Sequence, residues 1–138
     1  MAALVGAALA AGIVVSVPAG GQGGGGDHAE YRDARSDLNR NLAAYRENVV
    51  YRVFDDRPAT LRKMRGYVAG YDNAVTRLER LEESGDAPIS DPLELHDLRE
   101  AQTHMDDYLD AVLGNDQYRM QVSTWRFLWV LNRLPLGR

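Results

Sequence analysis

The chain has 138 residues, no cysteine and a net charge of −4 from 16 basic and 20 acidic side chains. That length holds one domain with a viable core. The lack of cysteine excludes disulfides, thiolate metal sites, cysteine nucleophiles and lipid attachment through sulfur, and so mild a charge does not imply nucleic acid as a partner.

Ala2 to Val17 carries no charge and only Ser16 is polar. A helix from Met1 to Pro18 would reach about 27 Å, close to the ~30 Å of a bilayer's hydrocarbon layer. Residues 1–19 therefore predict a single transmembrane anchor. Ala3, Ala7 and Ala11 share one face, and Ala8 and Gly12 repeat the same spacing of small residues. Such faces let helix backbones approach closely in lipid, so the anchor is expected to pack against other spans. The alternative is a signal peptide cleaved after Ala19, since Val17-Pro18-Ala19 has the small residues such a site needs; against it, no Lys or Arg precedes the apolar run. The first charges after the run are Asp27, His28 and Glu30. The positive-inside rule then favours the non-cytoplasmic or non-matrix side for the C-terminal domain. Residues 20–26, all glycine except Gln22, read as a flexible linker.

From residue 27 onward the apolar spacing is helical. In the first segment, about His28 to Phe54, Tyr31, Ala34, Leu38, Leu42, Tyr45, Val49 and Val53 step by three and four onto one stripe. Pro58 ends it and suits the first turn of the next helix. That second helix, about Pro58 to Glu83, carries Leu61, Met64, Val68, Tyr71, Val75 and Leu78 in heptad spacing and stops at Ser84-Gly85. Gly66 and Gly70 each cost about 1 kcal/mol there, which the close approach of a neighbour would offset; a loose helix is the alternative.

Asp91-Pro92-Leu93-Glu94 is a start signal: Asp91 caps, Pro92 takes the first turn and Glu94 suits the positive helix end. The third helix turns Leu95, Leu98, Ala101, Met105, Leu109 and Val112 inward and stops at Gly114. Asn115 or Asp116 caps a fourth, with Tyr118, Val122, Trp125, Leu128 and Leu131 before Pro135. No segment alternates with period two, so no sheet is predicted. The expected architecture is all-α: one N-terminal transmembrane helix plus a helical-hairpin or four-helix-bundle domain over residues 27–138.

Charge is uneven along the chain. Residues 84–116 hold nine acids and only Arg99, whereas 117–138 hold four arginines and no acid. Within that basic tail, Trp125, Arg126, Phe127, Trp129 and Arg133 form the most suggestive stretch. They would meet lipid headgroups or a protein partner, or Trp125 and Leu128 would complete the domain's own core, with Phe127 and Trp129 pointing elsewhere than Trp125.

Chemistry is hard to find. His96 and His104 lie about 80° apart around the third helix, and neighbouring acids could make a cluster with them, but the paired Glu-x-x-His motifs of di-iron bundles are absent. His28 sits at a helix start. Ser16, Ser36, Ser84, Ser90 and Ser123 occupy no nucleophile elbow. Gly23–Gly26 lacks the Lys and Ser/Thr of a phosphate loop. No catalytic residue, metal or cofactor is expected. The expectation is an accessory subunit of a multi-subunit membrane complex, respiratory or otherwise energy-converting, in an organelle inner membrane or prokaryotic plasma membrane, with other subunits and lipid as partners and no nucleic acid. The alternative is an exported, soluble helical binding domain.

Overall fold

The computed structural model describes residues 23–51, 57–88 and 93–134. They form α1 (Gly23–Tyr51), α2 (Pro58–Glu83), α3 (Leu93–Leu113) and α4 (Gln117–Leu131), with no strand among the described residues. The expected anchor, with Ala3, Ala7, Ala8, Ala11 and Gly12, lies outside them. Among the described residues no helix is long and apolar enough to cross a membrane.

Helix boundaries follow local chemistry. The first turn of α1 is built from Gly23–Gly26, ahead of the start near His28 that the apolar spacing predicts. Arg57 precedes α2 in extended geometry with Pro58 opening the helix. At the other end Gly85 takes φ 80°, and the Asp86 N–H reaches back 2.7 Å to the Leu81 carbonyl. That left-handed residue closes the last turn, and glycine takes the conformation at little cost. Asp116 caps α4, its carboxylate accepting from the Arg119 N–H at 3.0 Å.

The four helices run up, down, up, down. α1 packs on α2 and α3 on α4, with a lighter seam between α2 and α3. The core takes Ala34, Leu38, Leu42, Tyr45 and Val49 from α1, and Met64, Val68, Tyr71, Val75 and Leu78 from α2. Leu98, Ala101, Met105, Leu109 and Val112 join from α3. At its centre Tyr45 meets Tyr108 edge-on at 6.3 Å and Phe127 at 5.0 Å, tying α1 to α3 and α4. Such edge-to-face pairs add about 0.5–1.5 kcal/mol beyond the area they bury.

Gly66 and Gly70 prove unlike. A Cβ at Gly70 would sit 2.5 Å from Asn41 Oδ1, so α1 and α2 do approach closely there. One at Gly66 would meet nothing within 4 Å, which corrects the expectation that both glycines admit a neighbour.

Arginines clamp the helices together. Arg77 on α2 donates to Asp37 at 2.8 Å and Asp33 at 2.5 Å on α1. Arg99 on α3 holds Glu79 through two nitrogens, at 3.0 and 2.7 Å, and Asp72 at 2.6 Å on α2. Arg133, just past α4, holds Asp97 at 3.1 Å and Glu100 at 2.8 Å on α3. Arg35 on α1 donates to Glu94 on α3 at 2.7 Å, with Glu94 only 6% exposed. The sequence assigns Glu94 only to a helix end; its carboxylate instead anchors a cross-bundle ion pair.

Candidate functional site

Helix α4 has two apolar faces, and only one of them is used by the core. Met120, Ser123, Phe127 and Val130, continued by Leu134, step by three and four and are buried. The Ser123 hydroxyl donates to the Arg119 carbonyl, which lets a polar residue sit inside. On the opposite side Tyr118, Trp125 and Trp129 are 73%, 76% and 70% exposed. At 100° per residue these three, with half-buried Val122, fall within about 60° of arc.

This arrangement corrects the expectation for the tail in three ways. Phe127, expected at a docking surface, is fully buried against Tyr45. Trp125 is not core, and Tyr118 does not face inward either. Trp129 lies one turn from Trp125 and shares its face, rather than pointing elsewhere. The physical reason is register: a core centred on Tyr45 and Tyr108 takes the stripe whose members are Met, Ser, Phe and Val. Two indoles at positions 125 and 129 are left outside it.

Arg119 and Arg126 are exposed alongside the aromatic stripe, and neither has an acidic partner among the described residues. Arg133 is spent on Asp97 and Glu100. No Asp or Glu occurs in α4, so its outer face is aromatic along one row and cationic along the next. Exposed Leu113, at the end of α3, adds apolar surface near the turn that leads into α4.

Two other places gather groups that could bind something. Leu128 and Leu131 are half-buried and, with Asn39, Leu42, Ala43, Arg46, Asn132 and Leu134, line an open groove of about 630 Å³ between α1 and α4. Asn39 Oδ1 is buried near it with no hydrogen-bond partner among the described residues. On α3, His96, Asp97 and Glu100 place ligand atoms within 4.8 Å of one another. The Arg133 guanidinium already binds both of those carboxylates, and a cation there would have to displace it. His104 Nε2 lies 3.5 Å from Glu100, too long for a good hydrogen bond. The cluster is an ion-pair joint between α3 and α4.

Buried hydroxyls are likewise structural. Burial pushes the Tyr71 phenol well above its usual range, so it stays protonated and donates to the Leu98 carbonyl at 2.6 Å. Burial, with Tyr108 and Asp106 nearby, also raises the Tyr45 phenol, whose hydroxyl has no hydrogen-bond partner among the described residues.

Sequence reasoning misses the interhelical clamps, although a signal is present. Asp33/Asp37 and Asp97/Glu100 are acids one turn apart, and Asp72/Glu79 are two turns apart. Each couple faces one arginine of another helix.

Comparison with known proteins gives no family model, curated protein or solved structure that matches this chain.

Proposed function

We propose that this protein is a non-catalytic accessory subunit of a multi-subunit membrane complex. Residues 1–19 anchor it, and the bundle carries a docking face on α4. The observation that carries the reading is the outer row of Tyr118, Trp125 and Trp129. Large aromatics left 70–76% exposed on one face, beside a core complete without them, are a surface built to be covered by a membrane assembly, whether by its lipid or by its protein. The apolar, small-residue pattern of Ala3, Ala7, Ala8, Ala11 and Gly12 supports a membrane host with other spans. An energy-converting complex, such as a respiratory one, is the class of host this architecture suits.

Gentle solubilisation of the native membrane followed by sizing tests the proposal. Migration with other subunits in a large particle is expected, and migration as a free monomer would sink it. The second reading, an exported soluble domain, is favoured by the small residues at Val17-Pro18-Ala19. N-terminal sequencing of the mature protein decides between them: a chain that starts at Gly20 replaces the first reading with the second.

A further inference from the structure

We infer that the outer face of α4 lies on an anionic lipid surface, with Trp125 and Trp129 at headgroup depth and Arg119 and Arg126 against lipid phosphates. The inference rests on the proposed membrane anchor and names what covers the face.

Four observations carry it. The exposed row is made of Trp and Tyr, whose rings are amphipathic and settle at the membrane interface. Beside it stand two exposed arginines free of acidic partners among the described residues. A face with cations and no acids complements an anionic leaflet. It does not complement itself: a second copy would bring like charges together with no carboxylate from α4 to answer them. Size points the same way. Three aromatics of about 150–250 Å² each, partly exposed, offer on the order of 500 Å². A stable protein–protein interface buries about 800 Å² per partner. A lipid surface sets no such threshold, because the anchor supplies the proximity and α4 need only rest where it is held.

Asp97 and Glu100 on α3 share the single guanidinium of Arg133, so about one net negative charge stays there, past the C-terminal end of α4 and beyond both arginines of the stripe. Row geometry also suits a flat surface. Tyr118 to Trp129 spans about 16 Å along the helix, so the helix can lie in the plane rather than enter it end-on.

The chain's two tryptophans are both on this face and the N-terminal segment contains none, so intrinsic fluorescence reports on α4 alone. The full chain, reconstituted into phosphatidylcholine vesicles with or without roughly a third of phosphatidylglycerol, is excited at its indoles. A shift of emission to shorter wavelength and quenching by lipids brominated near the headgroup are expected in the anionic vesicles. Each of Arg119→Gln and Arg126→Gln should lower the equilibrium constant for the shifted state about fivefold, from about 1 kcal/mol per arginine at an anionic surface, and added salt should act in the same direction. Unaltered helical circular dichroism of both variants controls for folding.

Vesicle-bound protein whose indoles keep their water-exposed emission overturns the inference while leaving the anchor intact. Failure to associate with vesicles at all overturns the anchor as well. A shift that needs no lipid and grows with protein concentration gives the face to a second copy. One that needs a co-purified subunit gives it to protein. A shift equal in neutral vesicles and indifferent to the arginine variants removes the anionic headgroup from the account. Each of these results overturns the inference.

Discussion

The inner and outer faces of α4 are equally apolar in kind and opposite in fate. Phe127 is buried in edge contact with Tyr45, while Trp125 and Trp129, two residues to either side, stand 76% and 70% exposed. Hydrophobicity alone does not choose between them. The choice is made by the partners waiting across the bundle, where a tyrosine pair from α1 and α3 leaves room for one phenyl ring. A helix with two apolar stripes thus keeps one for its own fold and one for something else.

The sharpest way to break the comparison is a pair of truncations. Phe127→Ala should cost about 3–5 kcal/mol, from lost burial plus the cavity left behind. Trp125→Ala and Trp129→Ala should stay within about 0.5 kcal/mol of the parent. Denaturant melts of the three variants measure both, and a comparable loss at Trp125 would put that indole in the core after all.

Next in size is Arg35→Ala. It strands the Glu94 carboxylate, 6% exposed, without its cation. Removing one partner of a buried pair costs about 3 kcal/mol or more when burial is complete; with Arg35 itself 17% exposed, a loss of about 2 kcal/mol is expected. Replacing both residues by apolar ones should recover much of it.

The two glycines of α2 should answer with opposite signs. Gly70→Ala must push aside the Asn41 side chain, which donates to the Asp37 carbonyl at 2.8 Å, and about 1 kcal/mol of destabilisation is expected. Gly66→Ala meets open space and should stabilise by about 0.5–1 kcal/mol through helix propensity and a stiffer unfolded chain. Thermal melts compare the two directly.

Smallest is a pH effect. For Asp37, burial works to raise the carboxyl, but hydrogen bonds from Arg77 and Arg40 outweigh it and hold the group below its usual value of 3.8. The Arg99 hydrogen bond does the same for Asp72, helped by Gln102. Groups lowered on folding stabilise above their unfolded value and lose that stabilisation as pH falls through the folded one. Stability should therefore drop below about pH 4. Asp106 runs the other way: burial, then Asp110, Asp107 and Asp72, raise it, so its ionised form costs stability at neutral pH. Asp106→Asn should raise the melting temperature by about 2 °C at pH 7 and leave it unchanged near pH 3, where the native side chain is already neutral.

Much of the fold is legible in the sequence because each of the first three helices has only one apolar stripe. The spacing of Leu38, Leu42, Tyr45 and Val49, of Met64, Val68, Tyr71 and Val75, and of Leu98, Ala101, Met105 and Leu109 leaves no second choice of inward face. Pro58, Ser84-Gly85 and Asp116 mark boundaries by local chemistry, and the structure places them there. In α4 the same logic fails because Tyr118, Val122, Trp125 and Trp129 form a stripe as regular as the true one. Glu94 misleads for a related reason: a residue in the first turn of a helix satisfies a local rule, and nothing local reveals an arginine 59 positions away. The aromatic–arginine stretch is visible as a candidate site, but its division into Phe127 inside and the two indoles outside requires the bundle.

The order of the helices carries a consequence for how the chain reaches this state. α1 with α2 and α3 with α4 are hairpins closed by short connections, and the seam between α2 and α3 is lighter. Loop closure at such short range is inexpensive, so each hairpin is expected to collapse early and the molecule to fold in the microsecond-to-millisecond range of low contact order. Tyr45, which reaches Tyr108 and Phe127 across that division, is then among the last contacts made and the first released. Amide exchange should show two protected halves that part from each other before either unravels.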